Sequence, residues 1–370
     1  MNNKFKYHLF LFLSTFSRGL IEVFSLIILY KKGLSIHQLL LFLLLTYIIG
    51  ILASIVSLKF NKKIILIVSN ILYGLSYLYL SKINITISSL IILACFLSIS
   101  NYSYHILRHY YALNMLEDKN KTSIIVILIY IATSTSSLIG SLLLEYSYLI
   151  TSIIVLLLSL LSIIPILRYN PINNKKESIK IIYLNKNKLF FSILEQSKVI
   201  LTELQPLFLY IYIQNSYKYI GLFNILMHIS SLMFIYILSK HLTIKKFKYI
   251  AISLSIILIF KINIKNKIIL LFIALAEGIF LKTYEIFSLK NLYSITNNNI
   301  SSYLFTEELI FLLTKSIFIL FCLILNLKLK TILYIGILGI TISSFFIENK
   351  KNFKNWSSIF IYIAYNKIHI

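Results

Sequence analysis

The chain has 370 residues, 59% hydrophobic side chains, a mean hydropathy of +0.87 and a formal net charge of +24 at pH 7. The polar surface of a soluble globule cannot cover so much apolar side chain, which indicates a membrane protein. The basic residues lie in short links between apolar runs and form no continuous basic face, so the charge does not predict nucleic-acid binding.

Apolar runs of the length that crosses about 30 Å of hydrocarbon follow one another along almost the whole chain. They predict an all-α integral membrane protein with about twelve spanning helices. The predicted spans are residues 9–30, 36–58, 64–81, 85–112, 122–144, 147–167, 190–213, 219–239, 247–261, 268–289, 304–327 and 331–347. Arg18 interrupts the first apolar run and no small-residue cleavage site follows, so we expect this helix to stay in the mature protein.

The longest polar interruption is the segment RYNPINNKKESIKIIYLNKNK, residues 168–188, which carries Pro171 and six basic residues. It predicts a flexible loop that separates two groups of six spans. We therefore expect an N-terminal six-helix bundle at 1–167, a cytoplasmic central loop at 168–189 and a C-terminal six-helix bundle at 190–370.

The basic residues also predict the orientation. With the N-terminus in the cytoplasm, 23 of the 36 Lys and Arg residues fall on the cytoplasmic side and nine on the other. Since basic residues favour cytoplasmic loops, we expect both termini in the cytoplasm and a multi-pass protein of the cell (inner) membrane.

Charged residues inside the spans are the strongest functional signal, because each costs about 2.5–3.5 kcal/mol at the centre of a spanning helix. Four basic residues fall there: Arg18, Lys198, Lys282 and Lys315. Arg18 and Glu22 lie one helical turn apart, so we expect them to face each other and partly neutralise one another. The alternative is that this pair only fixes helix packing.

The charged side chains cluster on every third span. The first span holds Arg18 and Glu22; the fourth ends in His105, Arg108 and His109; the seventh holds Glu195, Lys198 and Glu203; the tenth holds Glu277, Lys282 and Glu285. The eleventh adds Glu307, Glu308 and Lys315, where the two acids at the start of the span are expected to complement the helix dipole. Such spacing is typical of a bundle in which every third helix lines a central cavity.

We therefore predict that the substrate or proton pathway is lined by Arg18, Glu22, Lys198, Glu203, Glu277, Lys282 and Lys315. Secondary candidates are His105, Arg108, His109, Glu195 and Glu285. Arg108 lies close to the cytoplasmic surface. It is equally well explained as a basic residue that sets the orientation of its helix in the membrane and has no role in the pathway. Cys95 and Cys322 lie in apolar runs without ligands at metal spacing, so we expect no metal, cofactor or disulfide.

A faint internal repeat occurs at an offset of 180 residues. SYHI at 103–106 matches TYEI at 283–286, Ser17 and Arg18 match Ser197 and Lys198, and Tyr30 matches Tyr210. The matches pair the first span with the seventh and the fourth with the tenth, which is the pairing that a duplicated six-helix unit requires.

The chain resembles the major facilitator superfamily in four features. These are two groups of six spans, a basic central loop, both termini in the cytoplasm, and polar residues on the first, fourth, seventh and tenth spans. The family motif G-x-x-x-D-R-x-G-R-K would fall on SIVSLKFNKK, residues 54–63. Lys59, Lys62 and Lys63 keep the basic positions, whereas the glycines are replaced by Ser54 and Asn61 and the acidic residue by Leu58.

The resemblance implies a secondary transporter, not an enzyme, that exposes one central site to the two sides of the membrane alternately. A carboxylate in a partly dry cavity beside a cation suits proton binding, so proton coupling is an option, with Glu22, Glu203 and Glu277 as the deepest candidates. The predicted function is transport of a small polar or amphiphilic solute across the cytoplasmic membrane by a monomer.

Two other functions are considered. A flippase for a lipid-linked sugar would use a similarly cationic central cavity. A membrane-embedded transferase with His105 or His109 as its base is disfavoured, because Asp118 is the single Asp of the chain and no D-x-D metal site exists.

Overall fold

The computed structural model describes residues 3–115, 122–168, 179–182, 186–238, 244–293 and 300–345. These residues form α-helices joined by short turns. The helices are α1 (Asn3–Gly19), α2 (Ser25–Lys31), α3 (Ile36–Lys59), α4 (Lys62–Lys82), α5 (Ile87–Met115), α6 (Thr122–Tyr146), α7 (Tyr148–Leu167), α8 (Lys186–Tyr212), α9 (Tyr217–Leu238), α10 (Ile244–Asn263), α11 (Lys267–Tyr293), α12 (Ile300–Ile324) and α13 (Leu329–Ser343).

The structure confirms the predicted all-α membrane fold. Helices α3 to α13 correspond one by one to the second to twelfth predicted spans, with ends that agree within four residues. Within the described residues, six helices meet a strict criterion of length and hydropathy for crossing a membrane: Phe5–Lys31, Ile36–Lys59, Lys62–Lys82, Ile87–Ala112, Leu128–Tyr146 and Tyr148–Leu167.

The helices pack in two groups. In the first group α1 packs on α6 and α7, α3 on α5, and α4 on α5 and α7; in the second, α8 packs on α12 and α13, α9 on α11, and α10 on α11 and α13. The groups meet mainly where α3 packs on α12 and α6 packs on α9. The exact domain limits 1–167, 168–189 and 190–370 stay a prediction, and most of the central loop lies outside the described residues.

The first predicted span is broken. Helix α1 ends at Gly19, and a short 3-10 turn at Glu22–Phe24 leads into α2. The break coincides with a very close approach of α1 to α6, because a Cβ on Gly140 of α6 would lie 1.9 Å from the backbone oxygen of Leu20. Only a glycine at position 140 leaves room for the chain at this point.

The turn between α2 and α3 follows from its sequence. Gly33 has a φ of +102°, a conformation that glycine adopts without strain, and it terminates α2. Ser35 and Gln38 then form a capping box in which each side chain accepts a hydrogen bond from the backbone amide of the other. These residues fix the reversal of the chain at this end of the bundle. Because the basic residues predict that this end faces outwards, we call it the outer end.

At the opposite, inner end, basic residues cap α7. Lys63 Nζ donates to the carbonyl oxygen of Leu167 at 2.8 Å, and Lys6 Nζ donates to that of Arg168 at 2.7 Å. Cations next to a helix C-terminus satisfy free carbonyls and oppose the helix dipole. Lys63 is a basic position of the family motif, and its contact joins the α3–α4 link to the end of the first group of helices.

We expect Gly140→Ala to destabilise the protein, although alanine is the better helix former by about 1 kcal/mol. The added methyl would overlap the Leu20 carbonyl and force α1 away from α6, at a cost of roughly 1–3 kcal/mol. A lower thermal unfolding midpoint of the detergent-purified protein would measure the effect. Ile139→Val, which trims a methyl from the exposed face of α6, is the matched control and should leave the midpoint unchanged.

Candidate functional site

Glu203 on α8 is the centre of the polar interior. Its Oε1 accepts a hydrogen bond from Lys315 Nζ of α12 at 2.5 Å, and its Oε2 accepts a short hydrogen bond from the Tyr47 hydroxyl of α3. The carboxylate thus joins a helix of the first group to two helices of the second. We call Glu203, Lys315 and Tyr47 the central cluster.

Lys315 is enclosed by its partners. Its side chain is only 1% exposed, and its ammonium lies 4.6 Å from the Tyr47 ring centre and 4.4 Å from that of Phe311. Aromatic faces and one carboxylate replace the water that the cation lost on burial. The Glu203 side chain keeps 32% of its surface exposed, so the acid of the pair remains accessible to solvent whereas the base does not.

Arg18 on α1 is held firmly in the first group. Its guanidinium lies over the rings of Tyr73 (4.2 Å) and Tyr104 (4.0 Å), Nη1 donates to Asn101 Oδ1 at 2.6 Å, and Nη2 donates to the Ser100 carbonyl at 3.3 Å. The side chain is buried, and its Nε has no hydrogen-bond partner. Two ring faces and two neutral acceptors therefore stabilise this cation.

Arg18 and Glu22 form no direct ion pair, but Arg18 is the charge that acts most strongly on Glu22, so the expected partial neutralisation is present. The ion pairs among the described side chains include none within 4.0 Å that joins these two residues. The prediction assumed a continuous helix, whereas the chain turns at residues 20 and 21 before the 3-10 turn that begins at Glu22. Glu22 is exposed although Leu20, Ile21 and Phe24 around it are fully buried.

Several candidate charges face a common space beside Glu22. Arg18, Glu203, Arg108 and His105 all lie close enough for their charges to act on the Glu22 carboxylate. These residues come from the first, seventh and fourth predicted spans. The structure therefore brings together the polar groups of those three spans, with Lys315 added from the eleventh through Glu203.

His105 and Glu308 connect the two groups nearer the inner end. His105 Nδ1 on α5 lies 3.2 Å from Glu308 Oε2 on α12, and the His105 ring stacks on Phe311 at 6.1 Å. Helix α12 begins at Ile300, so Glu308 lies two turns inside it and not in the first turn. The prediction that Glu307 and Glu308 complement the helix dipole is therefore wrong; Glu307 accepts hydrogen bonds from Ser192 and Tyr303.

Arg108 and His109 follow on the same helix. One Arg108 guanidinium nitrogen lies 3.5 Å from His109 Nε2, and the guanidinium carbon lies 5.7 Å from the Tyr104 ring centre. The His105 and His109 rings meet edge to face at 4.7 Å. Both Arg108 and His109 are half-buried, so this face of α5 is partly open.

Lys198 on α8 lies between two carboxylates. Its Nζ is 3.9 Å from Glu195 Oε1 and 3.6 Å from Glu285 Oε1 of α11. Glu285 also accepts a hydrogen bond from the Tyr130 hydroxyl of α6 at 3.3 Å, which joins the two groups of helices again. These secondary candidates therefore form one ion-pair network around a buried lysine.

The internal repeat appears in matching contacts. Arg18 lies over the ring of Tyr104, and Lys198 lies over the ring of Tyr284 at 5.4 Å; each residue of the second pair follows its counterpart by 180 positions. Likewise, Ser17 bonds to Ser159 of α7 at 2.8 Å, and at the equivalent positions Ser197 lies directly against Gly339 of α13. The repeated residues therefore make repeated contacts.

Glu277 does not lie with the central cluster. Its two oxygens accept hydrogen bonds from Lys261 Nζ at 2.7 and 2.8 Å, and both side chains are almost completely buried between α10 and α11. Lys261 lies in the last turn of α10, at the end of the ninth predicted span. The side chain of the other tenth-span candidate, Lys282, lies outside the described residues.

The outer end is closed by contacts between the groups. Glu145 Oε1 at the end of α6 accepts hydrogen bonds from Ser216 Oγ (2.9 Å) and from the backbone amides of Tyr217 (2.9 Å) and Lys218 (3.3 Å) at the start of α9. The ring of Phe24 meets that of Tyr217 edge to face at 5.6 Å. A carboxylate at a helix N-terminus is well placed, because it satisfies free amides and complements the dipole.

Three comparisons relate the chain to known proteins. No protein-family model and no curated protein sequence matches it. Among solved structures it is similar to the nucleoside transporter NupG, with a TM-score of 0.61 and 15% identity over 98% of this chain and 96% of that one. It is also similar to a bacterial homologue of the iron transporter ferroportin in an outward-facing state, with a TM-score of 0.66 and 12% identity over 97% of this chain and 100% of that one. At these identities the likeness establishes the fold alone: the chain has the all-α membrane fold of these two transporters.

We expect Glu277→Gln to destabilise the protein by about 3–5 kcal/mol, because it leaves Lys261 buried without a counter-charge. The thermal unfolding midpoint of the purified protein should fall. The exchange of both residues, Lys261→Glu with Glu277→Lys, should restore part of the loss. Lys265→Gln, which neutralises an exposed lysine nearby, is the control. An unchanged midpoint in Glu277→Gln would mean that this pair does not stabilise the fold.

Proposed function

We propose that this protein is a secondary active transporter that moves a small polar or amphiphilic solute across the cytoplasmic membrane by alternating access, coupled to protons through Glu203. The observation that carries the proposal is the position of Glu203. Its carboxylate bonds to Lys315 of its own group and to Tyr47 of the other, and it is partly exposed. A proton that binds there acts directly on a contact between the two groups of helices.

The physical reason is the change in charge. Hydrogen bonds to an ionised acceptor are roughly twice as strong as those between neutral groups. When Glu203 is ionised it holds Tyr47 and neutralises Lys315; when it is protonated, both contacts weaken and Lys315 loses its counter-charge inside the membrane. The protonated state therefore favours an arrangement in which the groups separate near Glu203 and Lys315 reaches water.

The contacts at the two ends support alternating access. The outer end is held by Glu145 and by Phe24 with Tyr217, whereas the inner end is held by His105 with Glu308 and by Tyr130 with Glu285. Among the described residues, each set consists of a few side-chain contacts, so we propose that one set opens while α3–α12 and α6–α9 stay packed. We place the inner end and both termini in the cytoplasm, and we propose a monomer as the working unit.

Coupling can be tested after the solute has been identified by comparing metabolites inside and outside cells with and without the protein. In proteoliposomes, an imposed pH gradient should drive accumulation of that solute by the wild type. We expect Glu203→Gln to reduce gradient-driven accumulation at least about tenfold, since its side chain cannot take up a proton, while exchange of labelled for unlabelled solute persists.

Glu203→Asp keeps a titratable carboxylate and is the matched control; it should retain a response to the gradient. Flux that ignores the gradient in the wild type, or that survives unchanged in Glu203→Gln, would exclude coupling at this residue. Co-purification of one tightly bound lipid-linked sugar would instead favour a flippase.

A further inference from the structure

A cavity of about 180 Å³ lies at the outer end, where α2 packs on α8. One wall is the end of α2, and the other is the end of α8 with the turn that follows it. The polar side chains that line the cavity are Tyr30, Tyr210, Tyr212, Gln214 and Asn215. We call it the outer cavity. It is separate from the central cluster, because none of the three residues of that cluster lines it.

The outer cavity brings together two residues that the internal repeat relates. Tyr30 and Tyr210 are 180 positions apart, which is the offset of the repeat. Equivalent residues of two copies that are related by a two-fold axis can share one cavity only near that axis. The outer cavity therefore lies at the seam between the two groups of helices, and a ligand bound there contacts both groups.

The hydrogen-bonding groups around the outer cavity are available for a ligand. Among the described residues, no hydrogen-bond partner exists for the hydroxyls of Tyr30, Tyr210 and Tyr212 or for the side-chain amides of Gln214 and Asn215. Tyr210 is only 4% exposed, and the surface that it keeps includes its hydroxyl. Polar groups of buried side chains are almost always paired, so this hydroxyl at the cavity wall indicates a partner from outside the chain.

The wall formed by α8 is held in place without a ligand. The backbone amides of Ile213 and Gln214 both donate to the carbonyl oxygen of Leu209, at 3.1 and 3.0 Å. The ring of Tyr210 packs on that of Tyr217 at 5.8 Å. These contacts fix the positions of the lining groups, so a ligand does not have to order them.

The lining defines the chemistry of the ligand. It contains no charged side chain, and phenol hydroxyls and carboxamides both donate and accept hydrogen bonds. A ligand that satisfies them is uncharged and carries several hydroxyl groups, while the tyrosine rings suit an apolar C–H face. The volume equals that of about six molecules of liquid water at about 30 Å³ each, which is the size range of a monosaccharide.

We propose that the outer cavity binds a neutral polyol of monosaccharide size, which lies against the tyrosine rings and exchanges hydrogen bonds with Tyr30, Tyr210 and Gln214. Because Tyr30 belongs to the first group of helices and the other two residues to the second, the bound polyol joins the groups at the outer end. It thereby stabilises the arrangement in which this end is closed. This inference goes beyond the proposed transport function and does not depend on proton coupling.

The test is equilibrium binding to the purified protein in an amine-oxide detergent, since the head group of a glycoside detergent would compete. The probes are glucose and myo-inositol, with glucuronate and glucosamine as analogues that each add one charge. Lys330 lies over the Tyr212 ring at 5.2 Å, so glucuronate also tests for attraction to this cation. We expect a neutral polyol to bind saturably, to raise the thermal unfolding midpoint, and to bind at least about threefold more tightly than both charged analogues, whose charge would lose water without gaining a partner.

Two variants locate the site by removing a single oxygen each. Tyr30→Phe and Tyr210→Phe should leave the midpoint of the ligand-free protein unchanged, because these hydroxyls have no hydrogen-bond partner among the described residues. Each should weaken polyol binding about two- to tenfold, the factor that one hydrogen bond contributes. Gln214→Met, which keeps the size of the side chain, should act in the same way. Tyr249→Phe, at an exposed tyrosine of α10, is the matched control and should keep full affinity.

The proposal is overturned if neither neutral polyol binds, which would mean that the outer cavity holds water only. It is also overturned if the midpoint rises without saturation in all variants alike, which is the general effect of excluded osmolytes. Binding that is lost in Glu203→Gln but kept in both tyrosine variants would assign the polyol to the central cluster instead. Saturable binding that persists in Glu203→Gln supports the outer site, whatever the result of the flux measurements.

Discussion

The interior of this protein depends on the need to neutralise charge inside a membrane. An unpaired ion costs several kcal/mol there, and the structure meets that cost in three different ways. Lys315 and Lys261 have carboxylates at hydrogen-bond distance, Arg18 has two aromatic faces and neutral acceptors, and Lys198 lies between two acids.

The internal repeat places a buried cation at equivalent positions of the two groups of helices. Arg18 and Lys198 occupy equivalent places and lie over equivalent tyrosines, yet their surroundings differ. In the second group, Glu195 and Glu285 lie beside Lys198. The residues 180 positions earlier, in the first group, are Thr15 and His105. The second group therefore neutralises its cation locally. In the first group, the described side chains place no carboxylate within ion-pair distance of Arg18, although Glu22 acts on it electrostatically.

Much of the fold could be predicted from the sequence, because spanning helices require long apolar runs and the links between them carry lysine. The break in the first span could not be predicted from the sequence, since it depends on how closely the end of α1 approaches Gly140 of α6, a helix far along the chain. The same break separates Arg18 from Glu22 enough that they interact electrostatically without a direct ion pair. Lys261 was missed because it ends an apolar run, where a lysine is normally a topology signal, and Tyr47 because tyrosine is frequent throughout this chain. The partners of Glu203 come from two other helices, α3 and α12, and only tertiary packing determines which of many polar side chains meet.

The contact of Glu145 with the start of α9 has a consequence for how freely the outer surface can vary. Two of the three donors to this carboxylate are main-chain amides, which every residue except proline provides. The side chain at position 218 can therefore change while these hydrogen bonds are kept, whereas Tyr217 is also held by its ring contact with Phe24. The same contact is sensitive to a proline at either position, and to any change that removes the carboxylate at position 145.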